Sequence, residues 1–186
     1  MRRLSLCVVT VLACGTFAVA QHNMSTMTVD NNLGELSGEA FEIAFMSGMV
    51  AHHEGAVDMA RWILERTERP GVASRARQII AAQEPEIKLM QSWLDEWYAG
   101  QRDDMAASMM ASDMQGMIAT MDAASDPDVA FLREMSLHHS SAIDMAQIAL
   151  LKATHPKLRE LAKNIVRNQA QEIADYQEML REIEGR

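Results

Sequence analysis

The chain has 186 residues and a formal net charge of -9, and it carries 16 Met against four Phe, three Trp and two Tyr. At 48% hydrophobic and 23% charged residues it is long enough for one ordinary core, and outside its N-terminus it is too polar for a multi-span membrane protein. The acidic balance excludes a nucleic-acid backbone as the natural partner, and 9 Gly with 4 Pro are too few for the many tight turns of an all-β sandwich.

Arg2 and Arg3 precede an apolar run from Leu4 to Phe17, and Ala18-Val19-Ala20 sets small residues at the spacing of a signal-peptidase site. The pattern predicts a signal peptide over residues 1–20, cleavage after Ala20, and a periplasmic or secreted product. The apolar run falls short of the roughly 18 residues a spanning helix needs, so no retained transmembrane helix is expected. The alternative is a lipoprotein acylated at Cys14, with Val11-Leu12-Ala13-Cys14 as a loose acylation box in an unusually short leader. Both cysteines, Cys7 and Cys14, fall in the leader, so a chain starting at Gln21 has no thiol for disulfides or nucleophilic catalysis.

Residues 21–36 form a polar, flexible segment in this reading. Its start, Gln21-His22-Asn23-Met24-Ser25-Thr26-Met27, offers a terminal amine, an amide and the His22 imidazole to Cu(II), with Met24 and Met27 nearby for Cu(I). The plainer alternative is a tail with no ligand role.

The remainder, 37–184, is one unit written twice. Residues 45–94 lie over 131–180 without a gap at an offset of 86, and 17 of the 50 positions are identical. Each copy predicts a helix, a short break and a second helix. In repeat one, 37–98, Ser37 caps a helix to about Thr67, and Pro70-Gly71 breaks it before a second helix to about Tyr98. Pro85 interrupts the hydrogen-bond ladder of that second helix. In repeat two, 127–184, a helix starts at Pro127 after Ser125-Asp126, and His155-Pro156 opens the last one. Short breaks make antiparallel hairpins, and the Met-rich 99–126 segment is long enough to cross over. The expected fold is an all-α, ferritin-like four-helix bundle of two duplicated hairpins.

At about 100° per residue, Met49, His52, Ala56 and Met59 share one helical face with His53 on its flank. Met135, His138, His139, Ala142 and Met145 repeat the arrangement. Adjacent histidines point about 100° apart, so neither pair clamps one ion by itself; one ring faces the bundle while its neighbour turns to the rim or the next helix. Thioether suits Cu(I) and imidazole suits copper in both oxidation states, so the combination selects copper-like metals over Mg or Ca. One lone buried Met or His is ordinarily packing, but adjacent buried histidines on two helices each need partners for their ring nitrogens.

Met105, Met109, Met110, Met114, Met117 and Met121 crowd into 17 residues of the crossover. As a helix, Met110, Met114, Met117 and Met121 form one stripe, which is a packing face, whereas Met105 and Met109 lie on another side. Gly100, Gly116 and the nearby aspartates weaken the helix, and a looser segment would let the sulfurs converge on a metal. Gln83 with Glu86, and Gln169 with Glu172, sit one turn apart and can accept histidine N–H groups from the facing helix, or serve as ordinary interhelical hydrogen bonds.

The pattern M-x-x-H-H-x-x-A-[VI]-D-M-A, followed by Q-x-x-E-I, resembles the family catalogued as domain of unknown function 305 over about residues 37–184. The resemblance implies a ferritin-like bundle and, for exported Met-rich members, periplasmic copper binding and copper tolerance. By position it implies Met49, His52, His53, Met59, Met135, His138, His139 and Met145 as ligands. The expectation is therefore an exported, non-enzymatic protein that sequesters or ferries Cu(I), with Cu(II) and Ag(I) as further cargo, in company with periplasmic copper-handling proteins. A ferritin-like metallo-oxidase is the alternative, but it uses Glu-x-x-His pairs; Glu134 stands four before His138, and Gly48 takes its equivalent place. A metal-free module that binds partner helices through methionine is the other.

Overall fold

The computed structural model describes residues 33–185. Among them the chain forms five long helices: α1 (Gly38–Leu64), α2 (Pro70–Tyr98), α3 (Asp104–Asp122), α4 (Pro127–Lys152) and α5 (Pro156–Glu184). No strand occurs among the described residues. The most extensive packing is within the α1/α2 and α4/α5 hairpins, and α1 meets α4 to join them into a bundle. The leader, both cysteines and the proposed ligands His22, Met24 and Met27 lie outside the described residues.

Local chemistry starts and stops these helices. Pro70, Pro127 and Pro156 stand in the first turns of α2, α4 and α5, where a missing N–H removes no intrahelical bond. Asp126 caps α4 by accepting from the backbone N–H of Asp128 and Val129 at 3.0 and 3.2 Å, and Asp103 caps α3 by accepting from Ala106 at 2.9 Å. Ser37 stands at the N-cap of α1, but its side chain makes no cap hydrogen bond. That helix ends at Leu64, short of Thr67, because the Ile63 carbonyl accepts from both Arg66 and Thr67 in a tightened last turn. The crossover is helical over 19 residues, so its glycines do not loosen it.

Helix α1 is central. Its N-terminal half joins the C-terminal halves of α2 and α4 and the start of α5 in one apolar cluster around Phe41, Phe45, Met49, Leu94 and Met145. Its C-terminal half belongs to a second cluster with Ile63, Ile79, Phe131, Met135 and Tyr176. Residues 52–53 and 138–139 lie between the two in the chain order of their helices, at the middle of the bundle.

A glycine groove decides where α3 lies. Gly48 and Gly55 are seven residues apart, about two helical turns, and so share a face of α1. A Cβ at residue 48 would meet Ala106 of α3 at 3.7 Å and Met145 of α4 at 3.5 Å, and one at residue 55 would fall 1.8 Å from the sulfur of Met114. The corresponding positions of repeat two, Glu134 and Ser141, carry side chains. Accordingly α3 packs mainly on α1 and less on α4.

One carboxylate ties the ends of three elements together. Glu42 of α1 is fully buried. It accepts from Tyr98 Oη at the end of α2, and from the Thr154 hydroxyl at 2.8 Å and the His155 N–H at 2.9 Å in the α4/α5 turn, with the Thr154 N–H and His155 Nδ1 also against it. The His155 ring stacks on Trp97 at 4.1 Å, and Trp97 stacks on Trp93 at 4.8 Å. Burial pushes the Glu42 carboxyl up, but the bonds from Tyr98, His155 and Thr154 outweigh it and hold the pKa at about 2. Because this lies below the ordinary 4.5, its stabilisation is complete above about pH 4.5 and is lost as pH falls towards 2. Glu42→Gln is expected to cost about 1.5–3 kcal/mol, as for lost hydrogen bonds to a charged group. Urea denaturation at pH 6 and pH 3 checks this: the variant should be less stable at pH 6, with a smaller deficit at pH 3.

Candidate metal centre

The repeated His-His pairs split their roles as the helical angle demands. His52 and His138 face each other across the α1/α4 seam, with ring centroids 3.7 Å apart and planes inclined by 34°. His53 turns to α2 and His139 to α5. All four rings are buried.

Each ring is oriented by an acceptor, and the acceptors reveal where the protons sit. His138 Nε2 lies 3.0 Å from the His52 carbonyl, which can only accept, so Nε2 carries the hydrogen. His52 Nε2 lies 2.7 Å from Ser141 Oγ, and that hydroxyl donates to the His138 carbonyl at 2.9 Å, so His52 Nε2 is again the donor. The two copies are thus locked crosswise, each ring tied to the backbone of the other's turn, once directly and once through a serine.

His53 Nε2 donates to Glu86 at 2.8 Å and His139 Nε2 to Glu172 at 2.7 Å. These carboxylates, 24% and 19% exposed, reach from the buried rings towards solvent. A carboxylate behind an imidazole fixes its tautomer and raises the basicity of the other nitrogen, as it does behind metal-bound histidines. The glutamates take the orienting role open to the Gln/Glu pairs. Gln83 and Gln169 do not, and their buried Oε1 atoms have no hydrogen-bond partner.

The opposite ring nitrogens, Nδ1 of His53, His138 and His139, are buried without a hydrogen-bond partner. An unsatisfied buried polar atom costs about 1–3 kcal/mol, so these three nitrogens are open to a ligand. Burial, with the His52 and His139 rings beside it, drives the His138 pKa well below its ordinary value. Burial also lowers His139, although Glu172 pulls it the other way. Both therefore present neutral lone pairs, the form a metal requires.

The methionines are brought together between copies, not within them. Met49 shares an apolar cluster with Met145, and Met59 shares the other with Met135, so sulfurs from both repeats stand on each side of the histidines. Among the crossover residues, Met110 packs with the first pair and Met114, Met117 and Met121 with the second. Met109 is half-buried against the first cluster, and Met105 is 67% exposed. The six do not converge on one point; a rigid helix keeps their stripe in two separate clusters.

Two participants are not evident from the sequence pattern. Ser141 is a mere mismatch to Gly55 in the repeat. Tyr176 is fully buried with its Oη 3.0 Å from His139 Nε2, and its counterpart in repeat one is Met90. The signal that could have found them is divergence: each breaks the duplication, Ser141 beside its most repeated motif and Tyr176 four residues after Glu172. Among the described residues no three His, Cys, Asp or Glu side chains converge to hold a metal ion.

Sequence comparison matches residues 15–94 and 42–180 to a family described as "Domain of unknown function (DUF305)". The chain belongs to this family. It is similar to CopM, whose Cu(II)-bound structure is 31% identical over 76% of this chain and 96% of that one, with a TM-score of 0.67. CopM in its Cu(I)-bound form gives 28% identity and a TM-score of 0.64. A DUF305 fragment from Deinococcus radiodurans is 28% identical over 77% of this chain and 97% of its own, with a TM-score of 0.65. The uncharacterized protein L153 of Acanthamoeba polyphaga mimivirus is 42% identical over 52 residues, and the match spans 34% of its length.

The lowered pKa values have a direct readout in the metal-free protein. Long-range 1H–15N spectra at pH 6.5, the ordinary histidine midpoint, should show His138 and His139 predominantly neutral, with the hydrogen on Nε2. Imidazolium shifts at that pH would contradict the burial and tautomer assignments together.

Proposed function

We propose that the protein is an exported copper-binding protein that holds Cu(I), and the similarly soft Ag(I), among the mid-bundle imidazoles and flanking thioethers, and so contributes to copper tolerance or homeostasis. The observation that carries this reading is the set of buried, acceptor-oriented histidines His53, His138 and His139, whose Nδ1 atoms have no hydrogen-bond partner, between methionines drawn from both repeats. Soft thioether and neutral imidazole favour a monovalent, polarisable ion that accepts few ligands. The solved copper- and silver-bound forms of CopM support the same class of cargo. The metal is cargo here, and no catalytic residue is assigned. Cu(II) binding through His22 at the mature N-terminus belongs to the same proposal, as does passage of the ion to other copper-handling proteins outside the cytoplasm.

The leader pattern supports export, and among the described residues no helix is long and apolar enough to cross a membrane. Within the bundle, the Nδ1 atoms of His53, His138 and His139 are the candidate imidazole donors, with Glu172 keeping the His139 ring in place from behind as Glu86 does for His53.

Anaerobic Cu(I) titration of the mature protein against a competing chelator tests the reading. Binding tighter than that of a scrambled Met peptide is expected, and His52→Ala with His138→Ala should weaken it at least about tenfold, the lower end of what loss of even an outer-shell partner costs. No Cu(I) binding above the peptide would sink the proposal. An unchanged affinity in a folded double variant would move the site out of the mid-bundle layer.

A further inference from the structure

The mid-bundle imidazoles are sealed from solvent. His52 is 3% exposed and His53, His138 and His139 are 0% exposed, so an ion reaches them only when part of the bundle moves. Polar contacts fix which helices stay together. His53 with Glu86 joins α1 to α2, His139 with Glu172 joins α4 to α5, and the bonds among His52, Ser141 and His138 join α1 to α4. Glu42 ties α1 to the end of α2 and to the α4/α5 turn, and Arg75 of α2 pairs with Asp175 of α5 at 2.7 Å. Helix α3 takes part in none of these ties.

Yet α3 lies along the face of α1 from which His52 projects. Ala106 of α3 stands against Gly48 and Met114 against Gly55, so residues 106–114 run past the turn that holds His52. At about 100° per residue, His52 lies within about 60° of both glycines around the α1 axis. Helix α3 also packs on α4, which carries His138, and Met145 of α4 reaches Gly48 beside Ala106. Its buried face consists of Met110, Met114, Met117 and Met121, flexible side chains that adapt to the surface they meet. The strip of α1 beneath is bare at Gly48 and Gly55. Polar fastenings hold the two ends: the Asp103 N–H donates to Ser47 Oγ at 2.9 Å, and Asp122 accepts from Trp62 Nε1 at 2.7 Å with Arg66 at 3.9 Å. The other four helices each have a hairpin partner, whereas α3 is joined to its neighbours by the short connections 99–103 and 123–126.

We propose that α3 is the gate of the histidine layer. It lifts from the α1/α4 seam as a unit while the other four helices stay folded, admits a soft monovalent ion, and closes when its end fastenings re-form. The inference rests on the copper-binding function proposed above and supplies its regulation. The fastenings set how fast Cu(I) enters and leaves, and the buried donors set how tightly it is held.

Hydrogen exchange reads the opening in the metal-free protein. Amides in the middle of α3 should exchange faster than those of α1 and α4, as a separately opening unit does. Ser47→Ala/Trp62→Phe removes one hydrogen bond at each end of α3 and should raise α3 exchange about tenfold or more, leaving α1 and α4 protected. In stopped-flow exchange with a chelator, the same variant should take up and release Cu(I) faster by a common factor with its affinity unchanged, because a fastening shared by empty and loaded protein shifts neither state. Middle α3 amides exchanging no faster than α1 and α4 in the unsubstituted protein, or uptake and release rates unmoved in the folded variant, would overturn the gate while leaving the copper-binding function standing. If the unsubstituted protein binds no Cu(I), the functional reading falls and the gate's role falls with it.

Discussion

The close, tilted approach of the His52 and His138 rings is the contact on which the rest of the arrangement depends. Two imidazoles 3.7 Å apart in an apolar interior cannot both be charged, and each has its Nε2 hydrogen committed to the opposite copy, directly or through Ser141. This fixes the register of α1 against α4. Once that register is set, the helical angle sends the neighbouring rings, His53 and His139, outward to α2 and α5, where Glu86 and Glu172 receive them. The layer so formed separates two apolar clusters and leaves the Nδ1 lone pairs of His53, His138 and His139 without a hydrogen-bond donor.

Duplication supplies the framework, and departures from it supply the asymmetry. Gly48 against Glu134 and Gly55 against Ser141 open a groove on α1 alone, so the crossover helix lies mainly there. Met90 against Tyr176 gives one half another thioether and the other a phenol at 3.0 Å from His139. A strictly repeated chain would have had no reason to dock a fifth helix on one copy over the other.

Much of this is legible in the amino-acid sequence. The offset of 86 pairs the histidines, the prolines place the helix starts, and the 100° rule separates adjacent imidazoles. The glutamates of the Q-x-x-E pattern are recognisable as acceptors for them. Less visible is the pairing of Met49 with Met145 and Met59 with Met135. Periodicity assigns residues to a face but does not say which face of which helix it meets. The six methionines of the crossover are ambiguous for the same reason: identical in type, they differ only in what surrounds them, from exposed Met105 to Met114 in its notch. Glu42 gives no signal because its partners, Tyr98, Thr154 and His155, are more than 50 residues away in the chain.

The methionine excess, the absence of cysteine after residue 14, the repeated helices and the two His-His pairs follow from the sequence by itself, since composition, spacing and helical period are local properties of the chain. Which imidazoles face each other and which nitrogens lack a partner are decided only by tertiary packing. These depend on distances between residues on different helices, and at position 55 the absence of a side chain leaves room for the Met114 sulfur of the crossover helix.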